Sequence, residues 1–183
     1  MKTNNFSPFI LALILSFTSC SKDDDPAPEV VNEEEVITTL EVTLNSGSST
    51  IIMKYQDLDS DGPNEPVITI SGNLTSGTTY VGLIRVLNEL ESPAEDITEE
   101  VEEEDLDHQF FYTVGSGLDL TTEYSNFDSA GNNLGTKFNL TAGSASSGSL
   151  TFSLVHEPTK PNTGLASAGG ETDIQAIFNI TIE

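Results

Sequence analysis

From Ile174 to Ile182 the apolar residues Ile174, Ala176, Phe178, Ile180 and Ile182 fall at every second position, with Gln175, Asn179 and Thr181 among the residues between them. A period of two places one set on one face of an extended chain, whereas a helix would repeat its apolar positions every three to four residues. The same alternation sets Val36, Thr38, Leu40, Val42 and Leu44 against Ile37, Thr39, Glu41 and Thr43. Comparable β-rich runs lie near 49–55, 66–73, 78–88, 108–114, 118–126, 135–141, 148–156 and 172–182, separated by turn clusters such as Asn45-Ser46-Gly47-Ser48, Thr75-Ser76-Gly77 and Ser129-Ala130-Gly131-Asn132. Eight to nine strands at that spacing predict an all-β domain over 36–183: two packed antiparallel sheets in an immunoglobulin-like or jelly-roll sandwich, with a half-open barrel as the alternative.

One segment departs from this pattern. Ser92-Pro93-Ala94-Glu95 has the form of a helix start, and Ile97 and Val101 recur one turn apart, so a short helix is predicted from about Pro93 to Glu104. Residues 95–107 hold Glu95, Asp96, Glu99, Glu100, Glu102, Glu103, Glu104, Asp105 and Asp107 with no base among them. Like charges one turn apart oppose a helix, and Glu103, Glu104 and Asp105 sit at the unfavourable end of its dipole. Such a stretch is either a solvated loop or is neutralised by something positive.

The amino terminus gives an address. Lys2 precedes an apolar stretch from Phe9 to Phe17, and Thr18-Ser19 leads into Cys20, the chain's single cysteine. The stretch falls far short of the roughly 20 residues a membrane-spanning helix needs, so residues 1–19 are expected to be a type II signal peptide, with Cys20 acylated as the first residue of the mature chain. The following Ser21-Lys22-Asp23-Asp24-Asp25 resembles the lipoprotein export signal of Bacteroidetes, which implies a lipid-anchored protein on the outer membrane's cell surface. Residues 20–35, rich in acids and proline, read as a disordered tether. With no second cysteine, no disulfide braces the domain.

Charge narrows the partners. The full chain carries 6 Lys and Arg against 30 Asp and Glu. Removal of residues 1–19 takes Lys2 and no acid. Nucleic acid is a poor partner for such a surface, because phosphate binding depends on clustered bases; cations are good ones. Asp57-Leu58-Asp59-Ser60-Asp61-Gly62, followed by Glu65, places acids at alternate positions ahead of a glycine, a pattern that wraps several oxygens around one calcium. Its twelfth position is Ile68 rather than Glu, which excludes an EF-hand. Read without an ion, the same residues make a plain Asp-Gly turn. His108 and His156 each stand beside carboxylates. With one of Glu157, Glu171, Asp173 or Asp107 they would suit zinc or another transition ion if the fold joined them; read singly, each is a surface ion-pair partner.

Asp107-His108-Gln109-Phe110-Phe111-Tyr112, His156-Glu157-Pro158, Gly169-Gly170-Glu171-Thr172-Asp173-Ile174 and Pro93-Ala94-Glu95-Asp96-Ile97-Thr98-Glu99-Glu100-Val101 together resemble a family of small flavobacterial surface lipoproteins, loosely labelled type 1 periplasmic-binding-domain proteins. That label denotes two α/β lobes. The chain has neither the length nor the strand–helix alternation for them, so the β reading stands. No Gly-x-Ser-x-Gly elbow, phosphate-cradling Gly-Lys loop or free thiol occurs, and Trp, a common sugar platform, is absent. The sequence thus predicts a non-enzymatic surface lipoprotein that binds divalent cations, calcium-braced or metal-capturing, and serves an outer-membrane receptor. The alternative is a structural or adhesive module binding carbohydrate or protein.

Overall fold

The computed structural model describes residues 35–47, 49–60 and 62–183. The signal peptide, Cys20, the tether up to Glu34, and Asp61 of the proposed calcium loop lie outside them. All nine strand runs read from the alternation are present: β1 (Thr39–Ser46), β2 (Ser49–Gln56), β3 (Val67–Ile70), β4 (Thr79–Asn88), β6 (His108–Val114), β7 (Leu120–Tyr124), β8 (Lys137–Ala142), β9 (Ser146–His156) and β10 (Glu171–Ile182). The alternation did not reveal β5 (Glu95–Asp96), the short helix α2 (Leu165–Ala168), or the true limits of α1 (Ile97–Glu103).

The strands form two antiparallel sheets. The larger has seven strands in the order β3-β2-β1-β4-β8-β7, with β5 paired to β4, and the smaller has the order β10-β9-β6. On β10 the inward set is the predicted one: Ile174, Ala176, Phe178, Ile180 and Ile182 are all buried. They join Leu40, Val42 and Leu44 of β1, Ile84 and Val86 of β4, Phe138 and Leu140 of β8, and Leu150, Phe152 and Leu154 of β9 in one core cluster drawn from both sheets. Phe138 of the larger sheet meets Phe152 of the smaller at 5.7 Å between ring centroids, and Tyr112 touches both rings. Gly82 of β4 lies directly beneath Phe138, where an added Cβ would come within 2.4 Å of the ring. The strand therefore accepts no larger residue there without displacing a core aromatic.

The helix begins later than its sequence suggests. Glu95 and Asp96 remain extended because they pair with Asn88 and Leu87 at the end of β4. Asp96, not Ser92, is the N-cap, and its carboxylate accepts from the Thr98 amide at 3.2 Å and from Arg85 Nε at 2.7 Å. Starting at Ile97 removes two acids from the helix and leaves Glu99 and Glu100 in its favourable first turn. Ile97 and Val101 are buried as their spacing predicts. None of the described helices is long and apolar enough to cross a membrane.

Candidate metal centre

After α1 the chain crosses from the larger sheet to the smaller, and His108 is the first residue of β6. In register, His108 lies opposite His156 of β9, and His156 lies opposite Glu171 of β10. The two imidazoles stack, with centroids 4.9 Å apart and planes 18° from parallel. The segments at 107–108, 156–157 and 169–171, far apart in sequence, thus converge on one corner. Glu157 N donates to Asp107 O at 2.6 Å, and Gly170, at φ +73°, packs so tightly that a Cβ would fall 2.2 Å from the His156 carbonyl. Glycine is required at 170 on both counts.

Of the acids proposed to join the histidines, Glu171 comes nearest in register, while Asp173 lies beyond an irregularity in the β9–β10 pairing between Thr172 and Ile174. Glu157 follows His156 out of the strand with φ +49°. The ligand atoms that converge most closely are a different set. One from each of Glu35, Glu104 and His108 lies within 4.8 Å of the others, the single such trio among the described residues. Glu35, assigned by composition to the tether, has a side chain only 6% exposed, and its Oε1 stands 3.6 Å from His108 Nε2. Glu104 is the C-cap residue of α1, and its Oε2 is buried without a hydrogen-bond partner.

His108 is fully buried rather than a surface ion-pair residue. Its Nδ1 lies 3.2 Å from the backbone carbonyl of Glu104. A carbonyl can only accept, so this contact places a proton on Nδ1 and turns Nε2 toward Glu35. Nε2 is itself buried and has no hydrogen-bond partner. Burial pushes the Glu100 carboxyl above its ordinary range, and the charges of Glu35, Glu104 and Glu95 push it further against an opposing pull from His108.

At the calcium-type loop the described residues spend their carboxylates on the chain itself. Asp57 Oδ1 accepts from Asp59 N at 3.3 Å, Asp59 Oδ2 accepts from Asn64 Nδ2 at 2.5 Å, and Gly62 N donates to Asp59 O at 2.8 Å. Asp59 and Glu65 are exposed. These are the bonds of a self-supporting Asx-type turn.

Sequence reasoning found His108 and its neighbour His156 but passed over Glu35 and Glu104. The four-residue spacing from Glu104 to His108 was a usable signal, since it brings one turn's carbonyl under the ring. Nothing in the sequence marks Glu35, which lies four residues ahead of β1. Compared with protein-family models, with curated proteins and with solved structures, the chain matches none.

Proposed function

We propose that the chain is a non-enzymatic, lipid-anchored module of the outer-membrane surface, built as an immunoglobulin-like or jelly-roll sandwich, that binds one transition ion of the zinc class through Glu35, Glu104 and His108. The observation that carries this reading is the wiring of His108. Histidines that ligate metals characteristically donate their second ring N–H to a carbonyl or carboxylate, which fixes the tautomer and aims the other nitrogen. Here Nδ1 is so engaged, and the buried Nε2 faces a carboxylate at 3.6 Å, too far for a hydrogen bond. Zinc bonds of about 2.0–2.1 Å in tetrahedral array set neighbouring ligand atoms roughly 3.3 Å apart, so this pair needs only a small contraction. One nitrogen and two carboxylate oxygens suit zinc better than calcium, which prefers six to eight oxygens. An ion would also supply a partner for the buried Glu104 Oε2, whose desolvation is otherwise uncompensated.

Isothermal titration of the metal-stripped protein tests this. One equivalent of zinc is expected to bind and calcium to leave the protein unchanged. Glu35→Gln and Glu104→Gln should each weaken zinc by about tenfold or more, or 1.4 kcal/mol, while Asp57→Ala with Asp59→Ala should not. Zinc binding unaffected by either glutamate substitution would refute the assignment.

A further inference from the structure

A second corner of the molecule carries a different chemistry. Gln109, Gly131, Asn132, Asn133, Pro161 and Asn162 line a cavity of about 200 Å³. In a chain with 30 acids its wall holds no charged side chain and four carboxamides. Gln109, 2% exposed, forms the buried wall. Its Oε1 accepts from Asn162 Nδ2 at 2.8 Å, and Asn162 is fixed in turn by Thr159 O and Gly164 N. Asn132 directs its Nδ2 to Asp128 at 3.2 Å, and among the described residues its Oδ1 and the Asn133 amide have no hydrogen-bond partner. Donors and acceptors are therefore presented together on a loop whose backbone the fold already holds, an arrangement that lowers the ordering cost of binding.

The same loop carries an exposed aromatic residue. Phe127 is 55% exposed, and its backbone bridges that of Asn133 in an antiparallel pair. Directly opposed residues of such a pair project to the same side with Cβ atoms about 5 Å apart, so Phe127 and Asn133 leave the loop on the same side. The loop that holds both is firmly braced. Asp128 accepts from Ala130 N at 3.0 Å and Asn132 N at 2.7 Å, and Asn126 Oδ1 accepts from Gly135 N at 3.1 Å and Lys137 N at 3.0 Å.

We propose that this corner binds a neutral sugar residue, with the amides of Asn132 and Asn133 facing its hydroxyls, Gln109 held against Asn162 and Tyr124 as the buried floor, and Phe127 covering its apolar C–H face. A ligand that offers alternating donors and acceptors but no charge matches uncharged amides. An anion would be repelled by the acidic surface, and a cation would find no carboxylate in the wall. The site shares no residue with the proposed metal centre.

The test is a titration of the ¹⁵N-labelled full chain, in EDTA so that metal binding plays no part, with methyl glycosides of glucose, galactose, mannose and N-acetylglucosamine and with their β-linked disaccharides. At least one should shift the side-chain amide signals of Asn132 and Asn133 saturably, with Kd near about 1 mM. Phe127→Ala and Asn133→Ala, both partly solvent-facing and expected to keep the wild-type melting temperature, should each weaken that sugar tenfold or more. The proposal is overturned if no glycoside shifts these amides, if both variants bind as the parent does, or if unstructured peptides shift them where sugars do not.

Discussion

Lys160 is the base whose removal should hurt this fold most. Its side chain is 5% exposed, and its ammonium donates to Asp105 O at 2.6 Å, to His108 O at 2.6 Å and to Asp128 Oδ2 at 3.2 Å, tying the end of the acidic segment, the start of β6 and the 126–133 loop to its own loop. Lys160→Met keeps the length and most of the packing but deletes all three bonds and leaves the Asp128 side chain, 0% exposed, without its counter-charge. Breaking a buried pair on one side costs about 3–5 kcal/mol. The three bonds share one donor and do not add. At about 2–4 °C per kcal/mol for a domain of this size, the melting temperature should fall by roughly 10 °C at pH 7. Acid adds a check with a definite sign. Burial pushes the Asp128 carboxyl up, but hydrogen bonds from Asn132 and Lys160 and the Lys160 charge outweigh it and hold the folded value below the ordinary one. A group depressed in the folded state contributes stability above its unfolded value, near about 3.9, and loses it as pH falls through the folded value. The difference between parent and variant should accordingly narrow below pH about 4. Urea denaturation at pH 7 and pH 3 measures both quantities. A loss under about 1 kcal/mol at neutral pH, or an equal loss at both, would refute the reasoning.

Two further substitutions probe separate links. Gly82→Ala forces a methyl into the Phe138 ring and should cost about 1–3 kcal/mol by overpacking, read as a lower denaturation midpoint with unchanged slope. Asp96→Ala removes the cap of α1 and the bond from Arg85, half of it solvent-facing, and should cost about 1–2 kcal/mol. Burial raises the Asp96 carboxyl, but Thr98 and Arg85 overcome this and lower it, so the Asp96→Ala deficit should also shrink as pH falls below the ordinary carboxylate range.

The strands were legible because alternation is a local signal and nine runs each carried enough of it. What escaped was set by partners distant in sequence. Glu95 and Asp96 read as a helical start until β4 is seen beside them, and Leu165–Ala168 is too short to show a period. The corner of His108, His156 and Glu171 could be named residue by residue, yet its assembly depends on the register of three strands. The amide-lined cavity gave no signal, since Asn and Gly in a turn cluster read only as a turn. Glu35 looked like tether because acidic composition outweighs one buried side chain in any windowed reading.

The acidic segment poses the sharper physical question of why nine acids between 95 and 107 tolerate one another beside a helix of seven residues. Much of the answer lies in where each carboxylate goes. Asp96 takes Arg85, Glu102 takes Lys137 at 3.2 Å and the Thr136 hydroxyl at 2.6 Å, and Asp105 accepts from Ser129 N and Oγ. Glu99 and Glu100 face the helix's positive end, so the macrodipole offsets part of their repulsion. Glu104 gains from none of these. It sits at the negative end of the helix, with one oxygen buried and unpaired and Glu35 close by. Two charged carboxylates converging on this corner repel each other unless a positive charge stands between them. On the proposed reading a divalent cation turns that repulsion into attraction, and stripping it should loosen this corner, read as faster amide exchange around Glu104 and His108 in EDTA.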